Sequence, residues 1–239
     1  MAEFVVAHGA WSAGWAWKKM RPLMRSLGHE LITPTYTGLG ERAHLARPDI
    51  DLETHVADIL GVLHCEDLRG VILVGHSYGG MVATAAADRA SERIAQLVYL
   101  DAFVPRSGES LAGLRGVDRS KSAADADWRI APNPLPPDTD PADVPWIMAR
   151  RMPHPRRCFE QAVVLSGAVE RLQRTYVYCT RPAPGDGFRR FADRARREPG
   201  WTCLEIDSSH SPHITAPEAL AALLDGIARR VTRSPRSGT

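Results

Sequence analysis

The chain has 239 residues, of which 44% are hydrophobic and 24% are charged, and its formal net charge is +2. This ordinary globular composition excludes disordered, collagen-like and coiled-coil proteins. No apolar run approaches the ~18 residues of a membrane span, and the N-terminus shows neither the basic stretch nor the long apolar stretch of a secretory signal. The length is that of one large domain, or of one domain carrying an insertion.

The distribution of basic residues and cysteines limits the expected partners. Lysine and arginine are spread along the chain, so we expect no binding to nucleic acid. The four cysteines form no C-x-x-C pair, which indicates neither a disulfide framework nor a zinc site and favours a reducing, cytoplasmic location. We expect a monomer or homodimer that acts on a small molecule and does not bind membranes.

Short apolar runs alternate with longer helical patterns along most of the chain, which predicts βαβ units and a mostly parallel sheet. The predicted strands cover residues 4–7, 30–34, 71–74, 96–100, 175–179 and 202–206. The predicted helices cover residues 17–27, 52–63, 81–90 and 217–231. This order of elements predicts an α/β fold.

Residues 105–167 interrupt the alternation, because they are rich in proline and show no strand pattern. A structureless loop of that length is unusual in a compact domain. We therefore predict a helical cap at residues 105–167, inserted into a core formed by residues 1–104 and 168–239. The tryptophan and methionine side chains of the cap, together with one tryptophan after the first strand, predict an apolar substrate pocket formed by Trp11, Trp128, Trp146 and Met148.

Residues 75–79 read Gly-His-Ser-Tyr-Gly and match G-x-S-x-G, with an aliphatic strand before them and a helical pattern after them. Such a strand–turn–helix, here called the elbow, lifts the Ser77 hydroxyl above the carboxyl end of the sheet. The backbone N–H of Tyr78 would lie at a helix N-terminus, where a negative oxygen is stabilised. The pattern predicts a nucleophilic serine, and the alternative is a tight turn with a capping serine.

With this elbow, the sequence resembles the α/β-hydrolase superfamily over essentially the whole chain. Residues 8–11, His-Gly-Ala-Trp, follow the first strand and look like the oxyanion loop of that superfamily. The resemblance implies that the N–H groups of Ala10 and Tyr78 form an oxyanion hole, with His8 as a structural loop residue. Three further segments are similar to small capped carboxylesterases, a group that includes plant methyl-ester esterases and hydroxynitrile lyases: residues 37–42, 97–105 and 209–213.

The chain order of the superfamily, serine then acid then histidine, places the catalytic base after the last strand. His210 stands there, and His213 is the neighbouring alternative. The acid most often follows the penultimate strand, where the first carboxylate here is Asp186. Asp101 instead ends the strand after the elbow helix, and it is the residue that we favour as the acid, with Asp186 left as the alternative.

These residues predict a serine carboxylesterase that hydrolyses small, largely apolar or aromatic esters through an acyl-enzyme, with no metal and no organic cofactor. Residues 38–43 fit the dinucleotide pattern G-x-G-x-x-A, but Pro48 interrupts the helix that such a site needs. Two alternatives remain, a hydroxynitrile-lyase-like enzyme and a non-catalytic ligand receptor. The lyases tend to have threonine where Gly9 stands and to use a cap lysine, for which Lys121 is the candidate.

Overall fold

A computed structural model describes residues 1–116, 127–181 and 186–233 of the chain. Its centre is a parallel sheet whose strands are β1 (Glu3–Ala7), β2 (Glu30–Ile32), β3 (Val71–His76), β4 (Ile94–Leu100), β7 (Arg174–Cys179) and β8 (Trp201–Ile206). The six strands lie in the order β2-β1-β3-β4-β7-β8, and every neighbouring pair is parallel. The predicted α/β fold is therefore confirmed. Within the described ranges, none of the helices has the length and apolar character needed to cross a bilayer.

Helices cover both faces of the sheet, and alternate residues of each strand supply a core to each face. In β1, Phe4 and Val6 pack on the face covered by the first and last helices, whereas Val5 and Ala7 pack on the opposite face. All six residues of β3 are buried, as its continuous aliphatic sequence predicts. The longer helices are α1 (Met20–Ser26), α2 (Leu52–Cys65), α3 (Gly79–Arg89), α7 (Arg189–Arg197) and α9 (Pro217–Arg233), and the single turn α8 (Pro212–Thr215) precedes α9.

The helix α7 was not predicted from the sequence. Its nine residues include five arginines, which hide the apolar pattern in a short segment. Phe191, Ala192 and Ala195 form its buried side and pack with β7 and β8. The tertiary contact with the sheet supplies the apolar surface that makes this short helix stable.

The residues between β4 and β7 form short elements above the sheet. They are α4 (Leu111–Leu114), β5 (Arg129–Ile130), α5 (Val144–Met148), β6 (His154–Pro155) and α6 (Arg157–Glu160). The strands β5 and β6 pair in antiparallel orientation, which the sequence did not predict because two-residue strands carry no periodic pattern. The segment is tied to the sheet domain at α2, where the Gln161 side chain donates to Asp51 and accepts from the backbone of Glu53.

Candidate active site

The elbow brings Ser77 to the carboxyl edge of the sheet. Ser77 lies between β3 and α3 with a positive φ of 55°, a conformation that is unfavourable for a side chain other than glycine. The sharp turn depends on Gly79, because a Cβ there would come within 1.9 Å of the carbonyl oxygen of Ala7. The close contact of α3 with β1 therefore fixes the direction in which the Ser77 hydroxyl points.

A chain of hydrogen bonds links three of the predicted site residues. The Ser77 hydroxyl lies 2.9 Å from Nε2 of His210, and Nδ1 of His210 lies 2.7 Å from a carboxylate oxygen of Asp101. Asp101 directly follows β4, is buried, and also accepts from the backbone N–H of Cys179 at 3.4 Å. The carboxylate accepts the Nδ1–H of the imidazole, so the Nε2 lone pair faces the hydroxyl of Ser77.

The other candidate acid, Asp186, has different partners. Its carboxylate accepts from the hydroxyl of Tyr178 at 2.6 Å and from the Nε–H of Arg189 at 2.9 Å. Burial and the adjacent Asp186 raise the pKa of Tyr178 to about 12, so the phenol remains a proton donor. Of the two carboxylates left open by the sequence, Asp101 is the one that is hydrogen-bonded to His210.

The two backbone amides predicted for the oxyanion hole, those of Ala10 and Tyr78, line the same cavity as Ser77. Neither N–H donates to another group in the part of the chain that the structure describes. The Tyr78 side chain points away from the cavity, and its hydroxyl donates to Nδ1 of His55 at 3.0 Å. His55 in turn donates from Nε2 to the carbonyl oxygen of Thr37, which fixes its tautomer. Burial lowers the pKa of His55 to about 3, so the ring stays neutral and keeps accepting from Tyr78.

Sequence comparison places this site in a known family. The alpha/beta hydrolase family matches residues 4–223. The chain belongs to the α/β-hydrolase family. A carbendazim-hydrolysing esterase from Nocardioides sp. (strain SG-4G) is 38% identical over 244 residues, which cover 95% of this chain and 100% of that protein. Salicylic acid-binding protein 2 from Nicotiana tabacum is 33% identical over 108 residues, covering 44% of this chain and 41% of that protein.

Solved structures agree with this family at the level of the fold. An extracellular α/β-hydrolase from a Paenibacillus species superposes with a TM-score of 0.80 at 23% identity, covering 94% of this chain and 98% of that one. A methylesterase from Arabidopsis superposes with a TM-score of 0.76 at 24% identity, covering 97% and 99%. These two likenesses concern the fold alone, and it is the relationship to the Nocardioides enzyme over 95% of the chain that identifies an ester-hydrolysing enzyme.

The loop after β1 is held by His8 within this hydrolase. The His8 ring donates from Nδ1 to the carbonyl oxygen of Gly9 at 2.9 Å and accepts the backbone N–H of Tyr36 at Nε2, 3.2 Å away. Burial lowers the pKa of His8 to about 3, so the imidazole stays neutral. Both ring nitrogens are used within the loop, which agrees with a structural role for His8.

Trp11 connects the same loop to the cap. Its φ is +58°, and its indole N–H donates to the carbonyl oxygen of Ile130 in β5 at 2.8 Å. Its backbone N–H points to Nδ1 of His154 in β6 at 3.4 Å, and its ring meets Phe159 edge-on. The antiparallel pair β5–β6 therefore holds the residue that follows Ala10.

The histidine of the elbow was missed as a site residue. His76, which directly precedes Ser77, donates from Nε2 to the backbone carbonyl oxygen of His210 at 2.7 Å. The motif contains this histidine, but no sequence signal relates it to a loop 134 positions away. His213 is instead buried and stacked on Trp17 with ring centroids 4.6 Å apart, and burial lowers its pKa to about 3.

The hydrogen-bond chain opens into a cavity of about 940 Å³ between the sheet and the cap. The ring of Phe188 stacks on His210 with centroids 4.7 Å apart and covers one side of the imidazole. The apolar wall includes Trp11, Phe103, Leu111, Leu135, Ile147 and Phe159. Three arginines also line the cavity: Arg115, Arg151 and Arg190.

The structure places three of the predicted pocket residues elsewhere, and only Trp11 of that set lines the cavity. Trp146 packs edge-on against Trp15, with ring centroids 5.1 Å apart. Met148 lies at the end of α5 with 56% of its surface exposed. The guanidinium of Arg129 lies over the ring of Trp128. The sequence identified large apolar side chains, but it did not show which side of each short cap element faces the sheet.

One buried group of potential metal ligands lies behind the loop that carries Ala10. The ligand atoms of His55, His154 and Cys158 are all within 4.8 Å of one another. Both ring nitrogens of His55 already form hydrogen bonds, and burial raises the pKa of the Cys158 thiol, which keeps it protonated. The group therefore lacks a free set of ligands and is part of the packed core.

Proposed function

We propose that this hydrolase is a serine carboxylesterase in which Ser77 is the nucleophile, His210 the general base and Asp101 the triad acid. The observation that carries the proposal is the continuous hydrogen-bond chain from Ser77 through His210 to Asp101, at 2.9 and 2.7 Å. A serine hydroxyl is a weak nucleophile until a base takes its proton. The buried carboxylate keeps the imidazole in the required tautomer and stabilises its protonated form.

The reaction then proceeds in two halves. Ser77 Oγ attacks the ester carbonyl carbon while Nε2 of His210 takes its proton, and the N–H groups of Ala10 and Tyr78 bind the negative oxygen. Each such donor contributes on the order of 3 kcal/mol to transition-state stabilisation. His210 returns the proton to the leaving alcohol, and a water deprotonated by His210 then releases the acid from the acyl-serine. None of these steps requires a metal or an organic cofactor.

The proposed substrates are small esters whose acyl part is apolar or aromatic. The wall of the cavity is rich in aliphatic and aromatic side chains, among them Trp11, Ile147 and Phe159. Burial of a substrate ring against this wall contributes roughly 25 cal/mol for each Å² of apolar surface removed from water. Trp11 and Phe159 lie edge-on with ring centroids 5.7 Å apart, and both residues line the cavity.

Hydrolysis is favoured over the lyase alternative by the position of Gly9. A Cβ at this position would lie 2.8 Å from Nδ1 of His76 and 3.3 Å from Cβ of Ser77. The threonine that the lyases tend to have there does not fit beside the elbow of this chain. Lys121, the candidate cap lysine, lies outside the described residues.

The test is turnover and active-site labelling with matched variants. Wild type is expected to hydrolyse 4-nitrophenyl acetate with a burst of nitrophenol, and to become labelled by a fluorophosphonate. Ser77→Ala is expected to lose both signals, whereas Ser26→Ala, at an exposed serine on α1, keeps both. Stoichiometric labelling of Ser77→Ala, or ligand-induced thermal stabilisation of wild type without turnover, would contradict the proposal.

A further inference from the structure

Arg151 is a cation in the wall of the cavity, and it forms no ion pair with any carboxylate in residues 1–116, 127–181 and 186–233. Its guanidinium donates to the carbonyl oxygen of Asn133 at 2.6 Å and to the side-chain oxygen of Asn133 at 2.7 Å. These two bonds orient the guanidinium but neutralise none of its charge. Its other N–H groups donate to no group among the residues that the structure describes.

Of the described residues, two that line the cavity carry a carboxylate, and both carboxylates already have hydrogen-bond partners. Asp101 is bound to His210, and Asp186 is bound to Tyr178 and Arg189. Neither forms an ion pair with Arg151. Partial burial lowers the pKa of the Arg151 guanidinium below its usual value. Because the usual pKa of arginine is far above 7, the side chain still carries its charge at neutral pH.

Arg151 lines the same cavity as Ser77 and lies beside the loop that carries Ala10. Its guanidinium lies 6.0 Å from the ring centroid of Trp11, and Trp11 directly follows Ala10. Arg115 and Arg190 line the same cavity, so the positive charge of the wall exceeds the free negative charge among the described residues. A half-buried cation without a counterion costs folding free energy, and a bound anion recovers it.

We propose that Arg151, oriented by Asn133, binds an ionised carboxylate on the substrate, so that the enzyme acts on aromatic esters that carry a second, acidic group. The inference rests on the proposed esterase function and narrows its substrate class to half-esters of aromatic dicarboxylic acids. Arginine suits this role because its planar guanidinium presents paired N–H groups to the two oxygens of a carboxylate. The aromatic ring of such a half-ester would lie along the apolar wall at Trp11, between Arg151 and Ser77.

The first experiment compares kcat/KM for monomethyl isophthalate, monomethyl terephthalate and methyl benzoate. These esters share an aromatic methyl ester and differ in the presence and position of a carboxylate. We expect kcat/KM of wild type for at least one half-ester to exceed that for methyl benzoate by about tenfold or more, which corresponds to the free energy of one charge-assisted hydrogen bond. Arg151→Met removes that preference, so that in this variant kcat/KM for each half-ester falls to about the value for methyl benzoate. Arg150→Met, at the exposed neighbour that does not line the cavity, keeps the preference.

The second experiment measures binding without turnover, by calorimetry of the intact half-esters with Ser77→Ala. The Kd of a half-ester is expected to be about tenfold or more higher for the double variant Ser77→Ala/Arg151→Met than for Ser77→Ala. For the single variant Ser77→Ala, the Kd is expected to increase with salt concentration, because salt screens the attraction between the carboxylate and Arg151. Turnover of all three esters without a half-ester preference overturns the carboxylate subsite and leaves the esterase proposal standing. Binding that depends on Arg151 in an enzyme that hydrolyses neither these three esters nor 4-nitrophenyl acetate overturns the esterase proposal and leaves the subsite standing. Binding that is unaffected by Arg151→Met overturns the subsite.

Discussion

Nε2 of His76 donates a 2.7 Å hydrogen bond to the backbone carbonyl oxygen of His210. The residue directly before Ser77 therefore holds the loop that carries the hydrogen-bond partner of Ser77. The same loop position determines both the 2.9 Å contact to Ser77 and the 2.7 Å contact to Asp101. His76 is in this sense a positioning residue, since it acts on the reaction through His210.

Replacement of His76 is expected to lower kcat much more than it changes KM. His76→Leu lowers kcat by about 10- to 100-fold with KM within about threefold, because the displaced imidazole of His210 loses its aligned contact with Ser77 while the apolar wall at Trp11 and Phe159 is retained. His76→Gln, which keeps a side-chain N–H donor, recovers part of the loss. Steady-state kinetics on 4-nitrophenyl acetate measures both constants. His44→Leu, at an exposed histidine, is the control, and equal changes in the two variants would refute the positioning role.

The two candidate acids are expected to differ sharply in their effect on kcat. Asp101→Asn lowers kcat by about 10⁴-fold, since an amide opposite Nδ1 favours the wrong tautomer of His210. Asp186→Asn leaves kcat within a few-fold, because its carboxylate binds Tyr178 and Arg189. Ester hydrolysis by the two variants, with circular dichroism to confirm folding, measures the difference. A collapse of activity in Asp186→Asn alone would reassign the acid.

Trp11 is expected to link the cap to the rate of the chemical step. Trp11→Phe retains an aromatic ring beside Phe159 but loses the N–H that donates to the carbonyl oxygen of Ile130. We expect a loss of about 1 kcal/mol in stability and a fall of about tenfold in kcat as the Ala10 amide shifts. Chemical denaturation and kinetics measure the two effects. Trp128→Phe is the matched control, and the link fails if both tryptophan variants retain full kcat.

Buried neutral histidines are expected to destabilise the fold in acid. Burial lowers the pKa of His8, His55 and His213 to about 3, below the ~6.5 of an unfolded chain. Between these values the unfolded chain binds more protons than the folded chain, so the free energy of unfolding falls as the pH decreases from about 6.5 towards about 3. Above the unfolded pKa both states are neutral at these rings, and the effect disappears.

The histidine contribution can be isolated by replacing one ring. His55→Gln is expected to reduce the stability loss between pH 7 and pH 5 by about 2 kcal/mol, whatever it does to the stability at pH 7. His64→Gln, at an exposed histidine of α2, leaves the pH slope unchanged. Urea unfolding at a series of pH values measures the slope. A His55→Gln slope equal to that of wild type would show that the ring does not titrate on unfolding.

Much of the fold was predicted from local patterns. The six strands of the parallel sheet follow apolar runs, because a strand covered by helices on both faces needs an almost continuous apolar sequence. The helix α7 and the pair β5–β6 were missed, since their periodicity is too short or is hidden by arginine. Trp128, Trp146 and Met148 were predicted to line the pocket because of their residue type alone, and the structure places them elsewhere.

The sequence by itself determined the elbow, since the turn at Ser77, the strand before it and the helix after it are encoded by consecutive residues. With the chain order of the family that it resembles, it also limited the candidate base to His210 or His213 and the candidate acid to Asp101 or Asp186. Only the tertiary structure decided that Asp101 meets His210, that His76 holds the His210 loop and that Arg151 faces the cavity. The physical reason is distance along the chain: these contacts join residues that are close only after parallel strands align their carboxyl ends and the cap folds over that edge.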